Sequence, residues 1–165
     1  AERFLAGYRA AKQRGDEVGL QVFLGLEVQP EDTPYEFLVY GLTEGFIRDA
    51  GPFYRLTTPE LYALMHENGF LMFQAHPYRF GLRPNKRALE FAFSHDVMLI
   101  GGGDVHMRGD IGRGGVMLPG GMESAEDFVA YMREVRRPEL IVTAARSAAD
   151  IVRKRSYVSQ VVRRE

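Results

Sequence analysis

The chain has 165 residues, 45% of them hydrophobic, with 21 basic and 22 acidic side chains and a net charge of -1. That is the composition of one globular domain with a core, and the balanced charge argues against nucleic acid or an anionic membrane as a partner. There is no cysteine, which excludes disulfide frameworks, cysteine zinc knuckles and thiol catalysis and makes a cytoplasmic location the expectation.

Taken in order, residues 1–14 place Phe4, Leu5, Tyr8 and Ala11 on one side and predict an amphipathic helix ending near Gly15. A strand over about 20–28 follows, with the apolar run Val22-Phe23-Leu24-Gly25-Leu26 leading to Glu27. The polar stretch Pro30 to Pro34 predicts a turn, and Glu36 to Leu42 a second strand. Residues 44–57 read as irregular. Thr58, with Pro59 and Glu60 after it, predicts a helix start, and Asn68-Gly69 its end. Residues 70–75 predict a strand that leads to His76, and residues 86–94 a helix. The apolar run 97–101 predicts a buried strand leading into Gly101-Gly102-Gly103-Asp104-Val105-His106. After the glycine-rich loop 109–115, a short strand over 116–118 is expected. Ser124 with Asp127 resembles a capping box opening a helix with Phe128, Met132 and Val135 on its core face. Residues 140–142 predict a last strand. The division is a unit over 1–143 and a basic helix or tail over 144–165, whose Arg and Lys residues lack the aromatic interleaving of a nucleic-acid surface. Strands alternating with helices predict an α/β fold with a largely parallel sheet.

Three predicted strands each deliver a metal-ligating side chain at the C-terminal end, where parallel α/β folds build their sites. These are Glu27, His76, and the pair Asp104 and His106. The last two, spaced by two in extended chain, point to one side, although Asp-x-His in a turn is also a common local hydrogen-bonding pair. Carboxylate and imidazole together suit Zn, Mn or Fe. His66, on a helix, and His95, near a helix end, read as structural or solvent-facing. The two glycine-rich stretches match neither a dinucleotide-binding nor a P-loop pattern, and no serine-nucleophile elbow is present.

With Gly25-Leu26-Glu27, Gln74-Ala75-His76-Pro77 and Gly103-Asp104-Val105-His106 in this order, the sequence resembles the polymerase-and-histidinol-phosphatase (PHP) superfamily of metal-dependent phosphoesterases. The resemblance continues through Tyr35 to Gly41, Glu67-Asn68-Gly69 and Gly112 to Val116, covering roughly residues 1–140. It implies a distorted (β/α)7 TIM-like barrel with two or three Zn, Mn or Fe ions at its C-terminal rim. Glu27, His76, Asp104 and His106 would be metal ligands by this resemblance, and Gly103 stands where the family often has Ser.

Two departures accompany it. The family opens with a His-x-His strand and a Thr-Asp-His strand end, whereas the first histidine here is His66. Relatives also carry a further strand and an asparagine-rich loop where this chain has Pro84-Asn85. Complete barrels need at least ~200 residues. We therefore expect the sequence to omit the opening strands and an internal segment, the latter revealed by a backbone break between Arg79 and Ala88.

The implied activity is metal-dependent hydrolysis of a phosphoester of a small molecule or nucleotide by metal-activated water. Glu27 is the candidate bridging carboxylate, and Asp104 and His106 are the candidate catalytic residues. Arg79 and Arg113 are candidates for gripping the substrate phosphate, ahead of Arg83 and Arg108, with a surface salt bridge the alternative for each. The alternative functions are a non-catalytic PHP-like binding or scaffold module with a partial metal site, and amide hydrolysis in a related barrel.

Overall fold

In the computed structural model, residues 2–77, 84–106, 108, 111–112 and 114–142 are described. Helix α1 (Glu2–Val18) leads into strand β1 (Gly25–Val28), followed by β2 (Phe37–Tyr40), helix α2 (Glu44–Ala50), a 3-10 turn (Phe53–Arg55) and helix α3 (Thr58–Glu67). Strand β3 (Leu71–Gln74), helix α4 (Pro84–Ser94), strand β4 (Gly114–Val116), helix α5 (Ala125–Val135) and strand β5 (Leu140–Val142) complete the order.

The architecture is mixed α/β, built on two small sheets, and among the described residues no closed barrel forms. One sheet has the order β1-β2-β3 and the other pairs β4 with β5. All of these pairings are antiparallel, which corrects the expected parallel sheet. Alternation of strands with helices constrains neighbours in sequence but not strand direction. Here β2 runs back between β1 and β3, so those two point the same way, and their C-terminal ends lie beside the N-terminal end of β2.

The register places a core on each face of the three-stranded sheet. Leu26, Val39 and Met72 are aligned across the strands and face the first core with Leu5, Leu61 and Met65 from α1 and α3. One residue along, Tyr40 and Leu71 face the second core, with Phe73 beside them and Phe128, Val129 and Met132 of α5 above. The Tyr40 ring meets Phe128 and Phe73 edge-on, with centroids 5.4 and 6.1 Å apart. Burying each such side chain contributes ~1.5–3 kcal/mol.

Several boundaries move for identifiable reasons. Helix α1 passes through Gly15 and stops at Gly19, whose φ is +73°. Gly15 serves close packing instead, since a Cβ there would collide with the Leu20 carbonyl oxygen as the chain folds back. Residues 44–57 are largely helical, opening at Thr43, whose hydroxyl accepts from the Phe46 N–H at 3.2 Å. The cap of α3 is Thr57, one residue earlier than expected, with Glu60 reaching back to accept from its N–H at 2.8 Å. The Ser124–Asp127 capping box forms as expected, with Asp127 N–H donating to Ser124 Oγ at 3.1 Å.

Residues 97–101 do not form the expected strand. Met98 and Ile100 pack against the second core, but the backbone follows β4 and α5 without a ladder, Leu99 N–H donating to the Arg136 carbonyl at 2.9 Å. The short strand after the glycine-rich loop lies at 114–116, not 116–118. Of the span in which a break was expected, residues 78–83 lie outside the described residues, and from Pro84 onward the chain is continuous helix. The basic segment 144–165 also lies outside the described residues. Among the described residues, no helix is long and apolar enough to cross a membrane.

Candidate metal centre

Glu27 is the third residue of β1 and His76 follows β3 by two residues. Because β1 and β3 point the same way, both side chains arrive at one end of the sheet. Glu36 arrives there too, immediately before β2. One ligand atom from each of Glu27, Glu36 and His76 lies within 4.8 Å of the others. The His76 Nε2 atom is 3.4 Å from Glu27 Oε1 and 3.2 Å from Glu36 Oε2.

Local chain geometry explains the convergence. Glu27 pairs with Leu38, so Glu27, Leu38 and Glu36 share a face of the pleat. Continued extended chain would send His76 to the opposite face, since Phe73 lies across from Leu38. His76 instead has a φ of +28°. That turn re-aims the imidazole toward the carboxylates, at a cost of ~1–3 kcal/mol for a non-glycine residue in this region. Pro77 adds to the constraint, because the residue before a proline ordinarily stays extended.

Glu36 is held from both sides. Its carbonyl accepts from the Ala75 N–H at 2.8 Å, continuing the β2–β3 ladder. The preceding turn is pinned to the start of α3, where Asp32 accepts from the N–H and the hydroxyl of Thr58, both at 2.8 Å. These bonds, the hydroxyl's first, hold the Asp32 carboxyl below its ordinary range. Tyr40 lies diagonally across from Glu27 on the same face, and burial together with the Glu27 charge pushes its phenol up.

The donor set fits a divalent cation. Zinc bonds of ~2.0–2.1 Å in tetrahedral geometry place neighbouring ligand atoms ~3.3 Å apart, close to both His76 distances. One Nε2 atom facing two carboxylate oxygens carries at most one proton to share between them. A cation among the three atoms would be a partner common to all of them.

Asp104 and His106 contact each other. Neither residue is in the cluster within 4.8 Å, among the described residues. His106 Nδ1 is 3.4 Å from Asp104 Oδ1 and 3.1 Å from the Asp104 carbonyl oxygen. Their side chains are 74% and 53% exposed, for His106 and Asp104 respectively, and the segment is irregular. Asp104 has a φ of +44°, so both it and His76 occupy the left-handed region.

Arg79, Arg83 and Arg113 lie outside the described residues, while Arg108 is exposed. His66 stacks on Tyr62 within α3, with centroids 5.6 Å apart. His95 stacks on Phe91 at 4.0 Å, and its Nδ1 lies 2.8 Å from Ser94 Oγ. Sequence reasoning missed Glu36 as a site residue. The available signal was a carboxylate at the entrance of the strand that returns antiparallel beside Glu27, which a parallel reading places at the far end.

Comparison with curated proteins and with solved structures gives no match. A family model described as PHP-associated matches residues 83–136, the stretch containing α4, the Asp104–His106 turn, β4 and α5. That match supports a relationship between this chain and the PHP family.

Proposed function

We propose that the chain carries part of a PHP-type metal-dependent phosphoesterase, which hydrolyses a phosphoester of a small molecule or nucleotide. The observation that supports it is the meeting of Glu27, Glu36 and His76 around a cation-sized volume at the tip of one sheet. A divalent cation there would lower the pKa of water and offset the negative charge of a phosphoryl group. Glu27 and His76 hold it, and two or three ions of Zn, Mn or Fe are the proposed complement. Asp104 and His106 are proposed to act on the reacting water or a further ion. Arg79 and Arg113 are proposed to bind the substrate phosphate through their planar guanidinium groups.

The test is turnover of phosphate esters by the complete protein. His76→Ala abolishes hydrolysis and lowers bound metal, and Asp104→Ala abolishes hydrolysis. Activity that survives exhaustive chelation refutes the proposal. A second reading, a non-catalytic binding module with a partial metal site, is favoured by the exposure of the Asp104–His106 pair, whose members contact each other. Metal binding without turnover across a phosphoester panel selects that reading.

A further inference from the structure

The sheet-tip cluster draws every member from one three-stranded sheet, and one member, Glu36, belongs to no ligand pattern in the sequence. We propose that Glu36 is a metal ligand and that Glu27, Glu36 and His76 bind one divalent cation by themselves, without Asp104 or His106. The inference concerns cation binding alone, so it stands or falls separately from hydrolysis.

Three features carry it. The Nε2–oxygen separations of 3.4 and 3.2 Å are close to the ~3.3 Å between neighbouring ligand atoms around one tetrahedral zinc, and the three atoms lie within 4.8 Å of one another. The three backbone positions are fixed by the ladder and its extension: Glu27 opposite Leu38, and Glu36 bonded through its carbonyl to Ala75 N–H, one residue before His76. The chemistry is also specific. Two carboxylates and one imidazole make a hard-to-borderline donor set of net charge -2 when the ring is neutral, suited to Zn, Mn or Fe. Among the described residues, His76 is the histidine that meets two carboxylates, whereas His66 and His95 stack on aromatic rings. The Glu27 and Glu36 side chains are 45% and 35% exposed, so a cation enters from solvent and keeps open positions.

The experiment is calorimetric titration of the full chain with Zn2+, and in parallel with Mn2+, in a background carrying Asp104→Asn and His106→Gln. One equivalent is expected to bind in this background. Adding Glu36→Gln weakens that binding at least ~10-fold, the scale on which even outer-shell partners act. Absence of binding in the double variant overturns the inference, as does unchanged affinity on adding Glu36→Gln. Glu36→His provides a second measurement, because it keeps a ligating atom while changing its type. It is expected to retain the equivalent and to shift the visible absorption band of bound Co2+. An unchanged band overturns the assignment even if the Glu36→Gln protein proves too unstable to titrate.

Discussion

The sheet tip and the Asp104–His106 turn carry the same kinds of side chain, yet they are built in opposite ways. At the tip, side chains distant in sequence meet because three antiparallel strands hold them in register, with a hydrophobic core on each face of the sheet. At the turn, two side chains two residues apart meet because of local chain geometry, and both are exposed. The apolar residues ahead of the turn reach the second core, while the glycines hold it against β4: a Cβ on Gly101 or Gly114 would collide with the carbonyl of Gly115 or Gly102 respectively. Positions set by a sheet are expensive to move. Positions set by a turn depend on a few backbone contacts and shift cheaply. The comparison makes the tip the more rigid of the two groups of metal-ligating side chains.

Two perturbations test this contrast, the larger effect first. Met132 is fully buried in the core beneath the tip-bearing face. Met132→Ala is expected to cost ~2–5 kcal/mol in denaturant unfolding, and to weaken Zn2+ binding at the tip if the sheet is what positions its ligands. Gly114→Ala forces a methyl against the Gly102 carbonyl, at ~1–3 kcal/mol. It should displace the His106 imidazole signals in an NMR spectrum while leaving those of His76 in place. Equal displacement of both would show that the two regions are one unit.

The smallest effects belong to the helix caps, whose side chains are not among the candidate ligands and which serve as a baseline. Ser124→Ala removes the cap of α5 and is expected to cost ~0.5–2 kcal/mol, with no change in cation affinity. Asp127 is held below the ordinary carboxylate range by the Glu123 N–H, then the Ser124 hydroxyl and N–H. Glu60 is lowered likewise by the N–H and hydroxyl of Thr57. A carboxyl whose folded pKa is depressed favours folding fully above its unfolded value, near pH 4. That contribution disappears as pH falls through the lower folded value. Asp127→Asn combined with Glu60→Gln should therefore flatten the acid limb of stability below about pH 4, measured by thermal unfolding across pH.

Much of the local structure was legible in the residues. The capping box at Ser124, the stop at Asn68-Gly69 and the apolar bodies of β2 and β3 follow from short-range rules and appear, whereas β1 covers Gly25–Val28 and leaves Val22, Phe23 and Leu24 outside the ladder. The run 97–101 was read as a strand because it is apolar. It is buried in part but lacks a ladder partner, and apolar character reports burial, not pairing. Gly15 predicts a helix end, yet it lies inside α1 and permits Leu20 and Val22 to pack against it as the chain folds back.

The sequence by itself determined which side chains are able to ligate a cation, the capping box that opens α5, and that Glu27 and His76 stand at strand tips. Those properties belong to single residues and to spacings of a few positions. Only the tertiary structure decided that β2 returns antiparallel between β1 and β3, which brings Glu36 to the tip. Strand direction and register arise from hydrogen bonds between distant segments, and a left-handed turn at His76 is affordable only where surrounding structure holds it. No local pattern encodes either.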